Sequence, residues 1–427
     1  MSSPDDMARR LCPTAHQTLI TIRLPTLTYP RRMKTTAGAR TAQGSAIEWV
    51  RLLAEEIGPR RPTSSAERRA AELVADRLSR NGLSVEQRPF QGYETFAAPY
   101  GAALALASAG MPLARRHPLP SAALAAAGAA LTSAEDGLIR RPLTRLMARR
   151  PSRNLVATIE PSGETVRTVC LVCHLDSSRS GLMFHRRFLP FLHAWIGIQA
   201  AAFAITVAGP VVRRLPLGGR LLAGAYGVLL AGLGILIERE LRGVDVPGAN
   251  DNASGLAAVA TLAGELQVDP LASTRVVCLF TGCEEAGVLG ADAFVRELEA
   301  SEEEWRSWLF VNFDGVAAPA TLRFLRQEGV LSKWPADAHL VRLAQEVSER
   351  RPELGLEGTS HNAGLTYDTT PVLARRGRAI TLSAQDATIP NYHSPADTVE
   401  NLDPPGLGRA IEVGRELLAA IDRGEAD

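Results

Sequence analysis

The sequence predicts an α/β fold: a mixed, mostly parallel sheet flanked by helices, with inserted hydrophobic helical hairpins. After residue 250, short apolar runs alternate with longer helical patterns, which is typical of a sheet covered by helices on both faces. Polar residues able to hold a ligand directly follow several of these apolar runs. Two other stretches, 96–134 and 188–237, are long and poor in charge, and they interrupt the alternation as insertions.

The composition narrows the class of protein. A chain of 427 residues can form one large domain or two or three average ones. The formal net charge of +1 gives no sign of a nucleic-acid partner. Five cysteines are too few and too clustered for a disulfide framework, so we expect them to be reduced, which favours a cytoplasmic catalytic part.

The elements before the first insertion are a tail, two helices and a strand. Residues 1–44 show no hydrophobic period, so we predict a disordered segment there and one domain over 45–427. Trp49 and Leu53 belong to a helical stripe. Ser64 is predicted to cap a second helix, because Glu67 stands three positions later. Residues 83–90 then alternate as a strand.

The two insertions differ in their membrane signal. Segment 96–134 consists of two short Ala- and Gly-rich runs, compatible equally with a membrane hairpin and with a helical pair packed on protein. In segment 188–237, the uncharged residues 188–212 would form a helix of about 37 Å, enough to cross a bilayer core. Arginines flank this segment, so we expect a membrane hairpin, with a helical pair in a large soluble core as the alternative. The distribution of arginine favours a cytoplasmic catalytic part over an extracytoplasmic one.

The remaining pattern supplies the sheet and its covering helices. Apolar runs of strand length are bounded by turn residues, and amphipathic runs of helix length follow them. The pattern predicts strands at 155–159, 169–173, 275–281, 309–313, 322–326 and 378–382, and helices at 287–300, 338–350 and 404–421.

The run 248–255 contains one acidic residue, Asp251, among small residues, directly before an apolar helical pattern. A carboxylate has two oxygens, so one aspartate can bind two metal ions, and small neighbours let the backbone approach them. By itself the run is also compatible with an ordinary turn and helix cap.

Four further motifs supply nitrogen and oxygen ligands. Each alone is compatible with a surface residue or a helix start, but the carboxyl ends of parallel strands meet at one edge of a sheet, where such folds place ligand sites. Ligands of these types without thiolates suit zinc in a catalytic site. The motifs are His174 and Asp176 after strand 169–173, Glu284 and Glu285 after strand 275–281, Asp314 after strand 309–313, and His393 in a late loop.

Taken together, these motifs resemble the co-catalytic di-zinc aminopeptidases of the aminopeptidase Y type, which are related to glutamate carboxypeptidase and glutaminyl cyclase. The resemblance covers residues 45–185 loosely and 245–425 well, and it implies the zinc exopeptidase, phosphorylase-like version of the fold. The sequence departs from the family between His174 and Asp251, which lie 77 positions apart because the charge-poor segment 188–237 is inserted there. An insertion at that point should project from the ligand-bearing edge and shape substrate access.

The resemblance implies a role for each motif. Two Zn²⁺ ions would be bound, with Asp251 bridging them. Glu284 would be the general base and Asp176 would orient a ligand, although the roles of Glu284 and Glu285 could be exchanged. The implied ligands are His174 and Asp314 for one ion, Glu285 and His393 for the other, and Asp251 for both.

The function implied is hydrolysis of the peptide bond at the N-terminus of a peptide, through a water shared by the two ions and a glutamate base. The substrate would be a peptide with a free amino group, and the protein would be membrane-associated, with no nucleic-acid partner. Two alternatives remain: a related zinc amidohydrolase or carboxypeptidase, and a catalytically silent membrane protein that uses the fold to bind.

Overall fold

The computed structural model describes residues 37–147, 149–301, 304–360 and 365–425. Disorder was predicted for residues 1–44. Residues 1–36 of that segment lie outside the described residues, and residues 37–44 form the start of the first helix. Within the described residues, eight strands form one sheet and two short strands pair separately. The strands are β1 Val85–Gly92, β2 Arg150–Ile159, β3 Arg167–His174, β4 Thr274–Thr281, β5 Leu309–Phe313, β6 Leu322–Leu325, β7 Gln327–Glu328, β8 Trp334–Pro335, β9 Leu356–Thr359 and β10 Arg378–Ala384.

The large sheet has the order β1-β2-β4-β3-β5-β10-β6-β9. Its four central strands, β4, β3, β5 and β10, run parallel to one another. Antiparallel pairing attaches β2 beside β4 and β6 beside β10. The predicted fold class, a mixed and mostly parallel sheet between helices, is therefore confirmed.

Helices and apolar clusters cover both faces of the sheet. Alternation along β3 shows why, because Leu171 and Cys173 belong to one buried cluster while Cys170 and Val172 belong to the cluster on the opposite face. The helices are α1 Ala37–Arg51, α2 Ser65–Arg80, α3 Ala97–Ser108, α4 Pro118–Asp136, α5 Leu192–Val207, α6 Gly209–Val212, α7 Gly218–Arg242, α8 Gly255–Val268, α9 Leu289–Ala300, α10 Ala338–Arg350, α11 Thr370–Ala374 and α12 Pro404–Asp422.

The residues at the start of α2 form the predicted helix cap and also contact a distant segment of the chain. The Oγ atom of Ser64 accepts the backbone N–H of Glu67 at 3.1 Å, as the cap prediction requires. The Glu67 carboxylate, however, is buried and also accepts the backbone N–H groups of Thr63 and Cys283, each at 2.8 Å. A residue predicted only as a helix cap therefore also ties α2 to the segment that follows β4.

The two inserted segments pack together as one unit, which we call the helical layer (α3, α4, α5, α6 and α7). A buried apolar cluster joins α3 to α5 and α7, and Ser121 of α4 lies 2.7 Å from the Tyr226 hydroxyl of α7. Close approach of α3 and α4 depends on Gly128, because a Cβ atom there would lie 2.6 Å from the Ala103 carbonyl oxygen. Segment 96–134 thus forms a helical pair that packs on the second insertion, and its interpretation as a membrane hairpin stays a prediction.

Among the described residues, two helical stretches of the layer are long and apolar enough to cross a membrane, namely Leu189–Val207 and Gly218–Arg242. Most of their residues are not buried by protein, since only 22% and 33% of the apolar windows are buried. Large apolar side chains such as Phe191, Leu217 and Leu241 are exposed. The outer surface of this part of the layer is therefore unlike the covering helices of the sheet.

Candidate metal centre

The predicted site residues meet at one edge of the sheet. His174 is the last residue of β3, Glu284 and Glu285 follow β4 and Asp314 follows β5. The loop after β10 brings His393 to the same place, and the turn before α8 brings Asp251. The structure thus gathers residues that are spread over more than two hundred positions of the sequence, as parallel strands with a shared carboxyl edge require.

The side chains form two groups, each of which could hold a metal ion. His174, Asp251 and Asp314 form the first group, and Asp251, Glu285 and His393 form the second. In each group the potential ligand atoms all lie within 4.8 Å of one another. All five side chains are buried. We call these five residues the candidate metal centre.

Asp251 joins the two groups through different oxygens. Its Oδ1 lies 3.1 Å from His174 Nε2, and its Oδ2 lies 3.3 Å from His393 Nε2. His174 Nε2 also lies 3.7 Å from Asp314 Oδ2, and His393 Nε2 lies 3.1 Å from Glu285 Oε2. A carboxylate placed between two histidine nitrogens in this way has the geometry of a bridging ligand.

Glu284 and Asp176 lie beside this centre without belonging to either group. Glu284 Oε2 is 4.0 Å from His174 Nε2, so its carboxylate faces the centre at a longer distance. The Asp176 carboxylate lies 3.6 Å from His174 Nδ1 and accepts the backbone N–H groups of Glu284 and Glu285, each at 3.0 Å. Asp176 therefore links the histidine at the end of β3 to the acidic pair after β4.

The charges of the site fit a cationic ligand. Burial raises the pKa of Asp314 well above its ordinary value, and the neighbouring Asp251 raises it further. Burial likewise raises the pKa of Glu284, opposed by His174 and reinforced by Glu285. Because several buried carboxylates share two imidazoles, their negative charge is only partly balanced by protein.

The two histidines of the centre also indicate a site for a cationic ligand. Burial by itself would lower the pKa of His393, but the charge of Glu285 and the contact with Asp251 raise it to about 9. Among the described residues, the buried atoms His174 Nε2 and Glu285 Oε1 have no hydrogen-bond partner. Unpartnered nitrogen and oxygen atoms facing one another inside an acidic cluster are the donor set that divalent cations bind.

Two further residues position the centre and were not predicted as site residues. The carboxylate of Asp397 accepts the backbone N–H groups of Asn250 and Asp251, at 2.7 and 3.1 Å. Arg60 is completely buried and donates to the carbonyl oxygens of Leu175 and Gly248, at 2.9 and 3.0 Å. These contacts join the segments that carry His174 and Asp251.

The sequence held only a weak signal for these residues. Asp397 stands four positions after the predicted ligand His393, but Arg60 carries no motif. Asp368 accepts the Thr281 hydroxyl at 2.6 Å and is buried beside the end of β4. Burial raises the pKa of Asp368 to about 7.

Aromatic side chains surround the second histidine. Tyr392 stacks on His393 with ring centroids 3.7 Å apart, and Phe184 contacts the same imidazole edge-on at 4.3 Å. Phe184 lies just before the second insertion, and the Arg239 guanidinium of α7 lies over the rings of Phe184 and Phe96. Phe184 therefore links the helical layer to the candidate metal centre.

A cavity of about 280 Å³ lies between the layer and the centre. Glu284, Glu285 and His393 line one side of it. Apolar side chains of α5 and α7, including Trp195 and Leu236, line another. The expectation that the insertion projects from the ligand-bearing edge agrees with this arrangement.

Comparison with known proteins finds a family model that matches part of this chain. Residues 235–418 match the family model described as Peptidase family M28, a segment that includes every member of the centre except His174. The probable lipoprotein aminopeptidase LpqL of Mycobacterium tuberculosis is 28% identical over 186 residues, which is 38% of this chain. The chain thus spans only 37% of the length of that curated relative.

Solved structures share the fold at low identity. The zinc aminopeptidase BSAP from Bacillus subtilis matches with a TM-score of 0.53 and 16% identity, over 89% of this chain and 95% of that one. The aminopeptidase from Aneurinibacillus sp. strain AM-1 matches with a TM-score of 0.53 and 15% identity, over 88% and 93% of the two chains. Glutaminyl cyclase from an Acidobacteriales bacterium matches with a TM-score of 0.52 and 11% identity, over 95% and 100%. The predicted resemblance is therefore confirmed: residues 235–418 match the model of peptidase family M28, and zinc aminopeptidases and glutaminyl cyclases share the fold.

Proposed function

We propose that this protein is a zinc-dependent aminopeptidase that removes the N-terminal residue of peptides. The observation that carries the proposal is the pair of ligand groups sharing Asp251, with one acidic residue, Glu284, facing them from outside both groups. The family match and the aminopeptidase named among the relatives support the same reaction.

The chain would hold two zinc ions, with His174 and Asp314 on one side of Asp251 and Glu285 and His393 on the other. Zinc bound there would supply Lewis-acid polarisation of the scissile carbonyl and acidify a water molecule. Asp176 contacts the His174 imidazole and accepts the backbone N–H groups of Glu284 and Glu285. It therefore fixes the positions of the ligands and of the base relative to one another.

Glu284 is the proposed general base. Its carboxylate would take a proton from the attacking water and return it to the leaving amine. A base must keep a free oxygen, and Glu284 lies farther from the histidine nitrogens than the ligand oxygens of Asp251 and Glu285 do. Burial raises the pKa of this carboxyl group, so its carboxylate is a stronger base than an exposed one.

A substrate panel tests the reaction. Aminoacyl-chromophore substrates and their N-blocked analogues would be compared before chelation, after chelation and after return of zinc. We expect turnover of the free amines alone, its loss with chelator and its recovery with zinc. Equal cleavage of blocked substrates would instead identify a related amidohydrolase. Absence of all turnover with zinc bound would support the silent binding protein.

We also propose that the protein is membrane-associated through the outer face of α5 and α7. The supporting observation is the exposure of large apolar side chains along stretches long enough to cross a bilayer. The flanking arginines favour a cytoplasmic catalytic part. Labelling an introduced surface cysteine with an impermeant reagent in intact cells tests this side: protection supports it, and labelling contradicts it.

A further inference from the structure

The cavity beside the candidate metal centre contains one buried cation that the proposed chemistry does not use. Arg141 lies in the connector after α4, lines the cavity together with Glu284 and Glu285, and is only 4% exposed. Among the described residues, its Nε and Nη1 atoms have no hydrogen-bond partner. A buried guanidinium with unmatched donors is unfavourable unless an acceptor reaches it.

The nearest acidic residue is already occupied by other donors. Arg141 Nε lies 3.9 Å from Glu135 Oε2, beyond hydrogen-bonding distance. The Glu135 carboxylate instead accepts the backbone N–H groups of Leu143 and Thr144, at 2.5 and 3.1 Å, and the Thr144 hydroxyl at 2.6 Å. Glu135 therefore holds the connector in place and is not a hydrogen-bond acceptor for Arg141 Nε.

The second acidic residue on this wall, Asp136, is occupied in the same way. Its two oxygens accept the backbone N–H groups of Leu331 and Ser332, at 3.1 and 2.7 Å. Both carboxylates thus serve backbone donors, and among the described residues neither is a hydrogen-bond acceptor for Arg141 Nε or Nη1.

Arg141 packs against the turn that begins at the proposed base, Glu284. Gly287 N–H donates to the Glu284 carbonyl at 2.7 Å in a turn, which places their Cα atoms less than about 7 Å apart. A Cβ atom on Gly287 would lie 2.8 Å from Arg141 Nη2, so the guanidinium packs against this turn. An extended dipeptide spans about 7 Å, which is comparable with the length of this turn.

We propose that Arg141 binds the α-carboxylate of a peptide of two or three residues whose amino end lies at the candidate metal centre. The placement of the amino end at the candidate metal centre rests on the proposed function, whereas the placement of the carboxylate end is inferred from Arg141 alone. Carboxylate is the ligand that a guanidinium binds most strongly among peptide groups. Arg141 is thereby a specificity-determining residue that favours short substrates with a free C-terminus.

The test compares a dipeptide with its C-terminal amide. For the wild type, we expect kcat/KM for the free acid to exceed that for the amide by on the order of ten- to a hundred-fold. Arg141→Gln should remove this preference while leaving turnover of the amide within about three-fold of the wild type, and Arg141→Lys should retain part of it. Arg140→Gln, an exposed arginine in the same connector, is the matched control and should keep the full preference.

A binding measurement separates this inference from the proposed reaction. Calorimetry with the zinc-loaded Glu284→Gln protein should show the dipeptide binding more tightly than its amide, and the double variant with Arg141→Gln should lose the difference. If discrimination is seen without hydrolysis by the parent protein, the aminopeptidase proposal fails and the Arg141 assignment stands. If the wild type shows the same kcat/KM and the same affinity for the dipeptide and for its amide, the assignment is wrong. An equal loss for both substrates in Arg141→Gln, together with a lower melting temperature, also overturns it.

Discussion

The candidate metal centre and the helical layer lie on either side of one cavity, and they are built on opposite principles. The centre is buried, rich in carboxylates and held by hydrogen bonds from distant segments, as Asp176 and Asp397 show. The layer is held by small residues such as Gly128 in close contact, and its outer face exposes large apolar side chains. We infer that the candidate metal centre is built to keep its ligands in one geometry and that the outer face of the helical layer is built to contact an apolar environment.

The largest expected effect would come from the one acidic residue at the centre that belongs to neither ligand group. Glu284→Gln should lower kcat by about 10²- to 10⁴-fold, because the variant cannot accept the proton of the attacking water. Its zinc content should stay at the wild-type level, whereas Glu285→Gln should lose zinc. Activity on an aminoacyl chromophore and elemental analysis after dialysis provide the two measurements. Zinc loss in Glu284→Gln with retention in Glu285→Gln would exchange the two roles.

The outer face of the layer offers the next effect. Leu230 lies near the middle of α7 and is 41% exposed, so Leu230→Arg would place a charge in the proposed bilayer core. That change should weaken membrane insertion by about 2.5–3.5 kcal/mol. Flotation with lipid vesicles would measure it. Val268→Arg, at an exposed position at the end of α8, is the control and should float like the wild type. Unchanged flotation of Leu230→Arg would exclude this face as the membrane contact.

A substitution of Asp397, whose carboxylate contacts the backbone of the predicted ligand Asp251, would show how far the centre depends on its hydrogen bonds. Asp397→Asn removes one charged acceptor of the Asn250 and Asp251 N–H groups, so Asp251 should be held less rigidly. We expect zinc affinity to fall by about 10- to 100-fold, measured by competition with a chelating dye. The exposed Asp386→Asn provides a control of the same chemistry. Equal zinc affinity in both variants would contradict a positioning role for Asp397.

The smallest effect concerns packing inside the layer. Gly128→Ala introduces a Cβ 2.6 Å from a backbone oxygen of α3, whereas Gly227 has no atom within 4 Å of such a Cβ. The first variant should lose about 1–3 kcal/mol of the free energy of unfolding, and Gly227→Ala should gain up to about 1 kcal/mol from helix propensity. Denaturant titration of both variants compares them directly. A similar change in the two would mean that α3 and α4 are not closely packed.

The sequence by itself predicted most of the strands and helices and named the residues of the centre, but it did not predict β9 or the first turns of α1. Strands of alternating apolar residues ended close to where the pattern predicted, and 309–313 was predicted with its observed bounds. Polar residues that directly follow a buried strand are carried to the edge of a parallel sheet by local structure alone, which is why His174 and Asp314 could be placed together.

Only the tertiary structure decided which residues support that centre and what faces it. Arg60 contacts Ser177 across 117 positions, and Asp397 contacts Asn250 across 147, and no local pattern encodes such pairs. The joining of two separate insertions into one layer likewise arose from packing between segments about a hundred residues apart, as the Ser121–Tyr226 contact shows. The cavity and its buried Arg141 follow from that packing, because a space between elements exists only once all of its walls have assembled.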